Sequence, residues 1–271
     1  MKSILIDRFH RHLAQSKLIV FIAKKVKNQA NSIIRASLQD GVHMDTNGEL
    51  RLIQAIAPNA KMAIDVGANV GDWIYRFLAH APSTCLGIAF EPVPATALLL
   101  RKNIPITHIN QIEIKELAVG DIVGKFSIFA EENAGECSSF VRDHTNNGHE
   151  LVVEVTTIDK EWTVAGCPFV DFLKIDAEGY DLKVLRGATE LIVSQQVGVI
   201  QFEYNAPWAR SGSTLFEALT ILSNAGYLTR LLKKEGLVEF DYDSVGEIFS
   251  YCNFVSALPS YHESRLRHLL I

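Results

Sequence analysis

Residues 62–73, MAIDVGANVGDW, constrain the fold of this chain more than any other stretch. An apolar run reads as a strand and stops on Asp65. Gly67, Asn69 and Gly71 follow at once, and a helical pattern begins over 70–80. Glycine lets a backbone turn tightly and approach another group with no Cβ between them. A strand, a glycine turn and a helix therefore predict a backbone brought close to something, either a ligand or a packed helix and strand.

The strand–helix unit then recurs. CLGIAFEP is a second strand closed by Pro92, and PATALLLRKNI is a helix opened by Pro94. IEIKELAVG reads as a third strand, while KFSIFA and ELVVEVTTI alternate as a β insertion or meander. FVDFLKIDAEG is a nearly continuous apolar strand ending in Asp176, and YDLKVLRGATELIVSQQ reads as one amphipathic helix. VGVIQFEYN ends on Glu203; after a helix around 213–225, GYLTRLLK and EIFSYCNFVSAL are expected to close the sheet as a pair. Apolar strands joined by helical crossovers make an α/β fold, a mostly parallel sheet covered on both faces.

Ligands of such sheets lie beyond the carboxyl ends of the strands. Here four strand ends carry acids: Asp65, Glu91, Asp176 and Glu203. Glu91, 20 residues past Gly71, stands where an acid accepts hydrogen bonds from ribose hydroxyls. The turn lacks the third glycine of a dinucleotide fingerprint, and no Tyr-x-x-x-Lys pair is present, which disfavours a nicotinamide oxidoreductase. Asp65 repels a pyrophosphate but suits a ligand with positive charge. S-adenosylmethionine, with a ribose, an ammonium and a sulfonium, meets both conditions.

IDVGANVGDW, AFEPVP, LAVGD and VDFLKIDAEGYDLKVLRGA, in that order over about residues 60–205, resemble the motifs of the FkbM-type methyltransferases, an S-adenosylmethionine-dependent class I family. The resemblance implies a Rossmann-like sheet of seven strands, the last antiparallel, within a methyltransferase domain spanning 46–271. Residues 1–45 fall outside it as a basic, helical arm. It implies cofactor contacts from Asp65, Gly67, Asn69 and Gly71 at the methionine end and the turn, and from Glu91 at the ribose. Asp121 is placed to meet the adenine amino group, or equally reads as a turn acid. The activity implied is O-methylation of a hydroxyl on a sugar, glycan or secondary metabolite. A lipid or amine acceptor stays open, as does a non-catalytic module in a glycan-assembly complex.

Methyl transfer to a hydroxyl asks the protein to position the acceptor and remove a proton. Asp176 is the first choice for general base, with Glu178 and His144 behind it; His144 and His149 share the polar segment RDHTNNGHE. Lys174 reads as an ion-pair partner of Asp176. Asp176 and Glu203, with Asn205 as a third oxygen, also form a hard-cation set of the magnesium type. Trp208 and Arg210 stand where an aromatic platform and a cation could meet a sugar, or cap a helix.

Charge divides the chain. Residues 1–35 hold eight Lys or Arg against the single acid Asp7, so the arm carries +7 within a net charge of −5 and leaves the remainder near −12. Such an arm predicts an anionic neighbour: a membrane face, a phosphorylated substrate, or a second subunit in a homodimer. Its longest apolar run, LIVFIA, falls far short of the ~20 residues that cross a bilayer, and no small-residue cleavage site follows it. With Cys85, Cys137, Cys167 and Cys252 scattered and no CxxC spacing, a cytoplasmic protein is expected, at most touching the inner membrane surface. The acidic body and the lack of an Asn-Pro-Pro-Tyr motif argue against nucleic acid.

Overall fold

Residues 2–130 and 149–271 are described by a computed structural model. The chain divides into two compact units, Met1–Gln39 and Asp40–Ile271. In the first, α1 (Lys2–Leu13) is followed by α2 (Lys17–Leu38). Ser16 caps α2, its hydroxyl accepting the Ile19 N–H at 3.4 Å, and α2 buries none of its residues.

The second unit opens with α3 (Glu49–Ile56) and β1 (Met62–Val66), followed by α4 (Asp72–His80), β2 (Leu86–Phe90), α5 (Pro94–Asn103) and β3 (Ile112–Lys115). Short strands β4 (Ala118–Val119), β5 (Gly124–Ala130) and β6 (His149–Thr156) come next, then α6 (Ile158–Val164). After β7 (Val170–Ile175), α7 (Asp181–Arg186) and α8 (Thr189–Val193), the chain forms β8 (Val197–Tyr204), α9 (Pro207–Ser211) and α10 (Leu215–Asn224). It closes with β9 (Leu228–Leu232), β10 (Leu237–Val238) and β11 (Cys252–Ala257).

The main sheet runs β10-β9-β11-β8-β7-β1-β2-β3. Its five strands from β8 to β3 are parallel, and β11 lies antiparallel between β8 and β9. This is the Rossmann-like methyltransferase arrangement with one strand more than the seven expected, because the two-residue β10 pairs back on β9 at the edge. β1 and β7 are buried at every position, which is why they read as mostly apolar runs, interrupted by Asp65 in β1 and by Asp171 and Lys174 in β7. GYLTRLLK and EIFSYCNFVSAL do pair, as β9 and β11.

Two elements differ from the sequence reading. IEIKELAVG is not one strand: β3 joins the main sheet, while β4 pairs with β6 in a separate three-stranded sheet that also holds β5. The helix expected over 180–196 is two, α7 and α8, broken at Gly187. A Cβ there would stand 1.9 Å from the Gly120 carbonyl oxygen, so the backbone of another segment occupies that space. Asp159 starts the second helix, accepting the N–H groups of Glu190 and Leu191 at 2.9 and 3.0 Å.

The register fixes which residues share a face. Ala63 pairs with Phe172 and Asp65 with Lys174; Phe172 pairs with Val199 and Lys174 with Gln201. With period two along each strand, all six point to one side of the sheet. That side carries the core formed with Leu52, Ile53 and Ile56 of α3 and with Trp73 and Phe77 of α4. Asp65, Lys174 and Gln201 are thus a buried polar row laid across an apolar face, next to the carboxyl ends of the strands.

Candidate active site

Gly67 answers the question raised by its own motif. Its φ is +77°, and a Cβ on it would lie 1.9 Å from the carbonyl oxygen of Asp176. The turn after β1 therefore presses against the end of β7, and the Asp176 N–H bonds to the Val66 carbonyl at 2.9 Å. Asn69 adopts φ 48° and Gly71 φ 93°, so three left-handed residues fold the turn back before α4 starts.

Glu91, at the end of β2, is clamped by that turn. One carboxylate oxygen accepts the Asn69 N–H at 3.0 Å and the other the Val93 N–H at 2.9 Å. Burial pushes Glu91 up to about 7, against the pull of those two amides. A pocket opens in front of it. Gly67, Asn69, Glu91 and Asp176 line its polar side, and Pro92, Leu117, Val119 and Ile128 its apolar side.

A larger cleft of about 790 Å³ shares Gly67, Asn69, Asp176 and Glu178 with this pocket. It extends over Trp73, Lys174, Glu203, Asn205, Tyr251 and Asn253. Lys174 lies in its floor. The ammonium holds the Asp176 carboxylate at 2.9 Å and stands 3.9 Å from Asp65, while Asp176 keeps 32% of its side chain exposed. Burial alone would push Lys174 down, but Asp176, Asp65 and Glu49 outweigh it and hold the ammonium above its usual range.

Asp65 has no solvent exposure and lines neither pocket. It sits one layer behind the turn, pushed up to about 6 by burial while Lys174 pulls the other way. Among the described residues neither of its oxygens has a partner at ordinary hydrogen-bond distance and angle, and the Asn69 and Asn205 amide oxygens and the Trp73 indole N–H are likewise buried without one. Polar atoms left so at a cleft wall are costly unless something meets them.

Other sites expected from sequence fall differently. Gly71 packs against Leu100 rather than the pocket. Asp121 faces Lys183 and Arg186 at 3.9 and 3.8 Å and is not among the lining residues. Trp208 is fully buried, donating its indole N–H to the Glu203 carbonyl at 2.9 Å, so it cannot serve as an aromatic platform for a sugar. Trp73 and Tyr251 are the aromatic residues lining the cleft instead. His144 lies outside the described residues, as does the side chain of His149.

Nothing among the described residues supports the magnesium set. Among the described residues no group of three or more His, Cys, Asp and Glu side chains could hold a metal ion. Lys174 engages the Asp176 carboxylate, and Asn205 turns its N–H, not its oxygen, to Glu203 at 2.6 Å. Burial, then the neighbouring carboxylates of Asp176, Glu178 and Asp181, push Glu203 well above the usual carboxylate range.

Sequence reading missed Glu49, whose carboxylate accepts the Asn47 amide N–H at 2.9 Å and a short hydrogen bond from Gln201. An acid at a helix start reads as a capping residue. Its only other signal was Gln201, a polar residue inside an apolar strand. Asp181 was missed too: wholly buried, it accepts the Gly179 and Glu203 N–H groups and ties the two strand ends together.

Residues 65–229 match the family model of the methyltransferase FkbM domain. A "Methyltransferase 1" of Beauveria bassiana is 26% identical over 149 residues, covering 48% of this chain and 59% of that protein, less than two thirds of its length. A "2-O-methyltransferase NoeI" of Sinorhizobium fredii is 22% identical over 189 residues, 65% of this chain and 74% of that protein. A solved SAM dependent methyltransferase from Aquifex aeolicus superposes with a TM-score of 0.43 at 12% identity, covering 82% of this chain and 95% of that one.

Proposed function

This chain belongs to the FkbM methyltransferase family, and from that premise we propose that it is an S-adenosylmethionine-dependent O-methyltransferase acting on a hydroxyl of a sugar, glycan or similar polyol metabolite. The observation that carries the reading is the Glu91 clamp. An acid fixed by main-chain N–H groups at a pocket edge has lone pairs left for the two hydroxyls of a ribose. Pro92, Leu117, Val119 and Ile128 offer an apolar slot for a purine beside it. The unpartnered Asn69 oxygen can accept from an ammonium, and buried Asp65 adds negative potential behind the turn. When bound, the cofactor supplies a methyl group on a sulfonium.

This chain's own residues orient the acceptor and take its proton. Asp176 lies in the lining shared by pocket and cleft, exposed enough to reach a hydroxyl and held in place by Lys174. Asn205, Tyr251, Asn253 and Trp73 line the cleft with amides, a phenol and an indole, a set suited to a hydroxyl-bearing ring. The Sinorhizobium relative's name, a 2-O-methyltransferase, agrees with oxygen as the acceptor atom.

Isothermal titration with S-adenosylmethionine tests the cofactor. Binding by the wild type, with marked loss in Gly67→Arg and Glu91→Ala, is expected; tight NADH binding with none for S-adenosylmethionine overturns the proposal. Mass spectrometry of cell-surface glycans with and without the protein tests the acceptor, through a mass difference of one methyl group.

A further inference from the structure

α2 presents a surface that methyl transfer does not use. At 3.6 residues per turn, Ile19, Ile22, Val26, Ala30 and Ile33 fall on one face of the helix. Lys17, Lys24, Asn28, Asn31 and Arg35 fall on the opposite face, and Lys25 and Lys27 flank the border on either side. The apolar stripe is open: Ile22 is 51% exposed, and Val26 and Ile33 are each 64% exposed. No acid interrupts the helix.

No described helix is long and apolar enough to cross a membrane. An apolar stripe between basic borders has a different use, since lysine stems can lie along an apolar boundary while their ammonium groups reach outward. We infer that α2 docks in the plane of an anionic lipid surface, its Ile19–Ile22–Val26–Ile33 stripe in the acyl boundary and its lysines against the headgroups. A second copy fits this surface poorly, because pairing two such helices through the stripe sets the flanking Lys25 and Lys27 of one against those of the other, with no acid on the helix to offset them. A phosphorylated small substrate would use the charge but leave the stripe in water. The inference stands on α2 alone and does not depend on the reaction proposed above.

Flotation of the full chain with vesicles of phosphatidylcholine, alone or mixed with phosphatidylglycerol, tests it. The protein is expected to float with the anionic vesicles, to leave them as salt rises, and to stay in solution with the neutral ones. Lys25→Gln and Lys27→Gln should each weaken partition about fivefold. Val26→Asp should abolish it while the thermal transition of the body is unchanged. The inference is overturned if the wild type stays in solution with anionic vesicles, or if Val26→Asp floats as the wild type does. It is also overturned if light scattering shows a dimer that Val26→Asp dissolves, with no vesicle binding by either protein.

Discussion

Glu91 and Asp176 are both carboxylates at strand ends, and the protein holds them in opposite ways. Main-chain N–H groups from Asn69 and Val93 grip both oxygens of Glu91, which is 5% exposed. Asp176 is held by one side chain, Lys174, and keeps a third of its surface open to the cleft. A carboxylate fixed by backbone can serve as a rigid acceptor for a bound ligand. One tethered by a single lysine and open to the cleft can approach a substrate hydroxyl. In the function proposed above, this difference would put binding at the β2 end of the rim and chemistry at the β7 end.

The strongest way to break that division is Asp176→Asn. Loss of a general base costs about 10²–10⁴-fold in rate, so turnover should fall on that scale while cofactor affinity, read by titration, changes little. Unchanged turnover on an identified acceptor would move the base to Glu178, Glu203 or His144.

Lys174→Met tests what holds the chemical end in place. It leaves Asp65 and Asp176 without their shared cation, and removing one member of a buried ion pair costs about 3–5 kcal/mol, measurable by urea unfolding. The pH dependence has a definite sign. Asp65 titrates near 6 in the folded chain against an ordinary 3.8, so the folded state binds the extra proton and stability falls as pH rises through that interval. Without Lys174 the folded value climbs further, and the decline should extend to higher pH. An unchanged pH profile would show that Lys174 does not act on Asp65.

Glu91→Gln sharpens the other side. It keeps the shape and one acceptor oxygen but loses the charge, and hydrogen bonds to charged groups are worth about 1.5–3 kcal/mol. S-adenosylmethionine affinity should drop by roughly ten- to a hundredfold, with turnover at saturation little altered. A fall in turnover with affinity intact would reverse the division.

The smallest effect is on wild-type affinity. Glu91 titrates near 7, so its carboxylate is lost below that pH and ribose binding should weaken by up to about tenfold per unit there, levelling off above. Glu91→Gln should flatten this slope. Titration across the range distinguishes the two curves.

Much of this was legible in the chain. The strand–helix alternation pointed to the parallel sheet, because strands buried on both faces are mostly apolar. Glu91 was legible from its spacing after the glycine turn, and the Lys174–Asp176 pair from alternation along one strand. The break of IEIKELAVG between two sheets was not, since no glycine or proline marks the point where pairing passes from β2 to β6. Nor was the burial of Trp208, an aromatic whose indole N–H is satisfied by a carbonyl five residues back.

The sequence by itself determined that acids stand at or within a residue of the carboxyl ends of β1, β2, β7 and β8 and where the chain must turn after β1, because both follow from local periodicity and from the backbone freedom of glycine. Only the tertiary structure decided what each strand-end acid does. Register across β1, β7 and β8 set Asp65, Lys174 and Gln201 in one buried row, and α3 closed it with Glu49 from a segment distant in sequence. A carboxylate's role depends on its burial and on the groups facing it, and both are properties of contacts between distant segments that no single stretch of sequence carries.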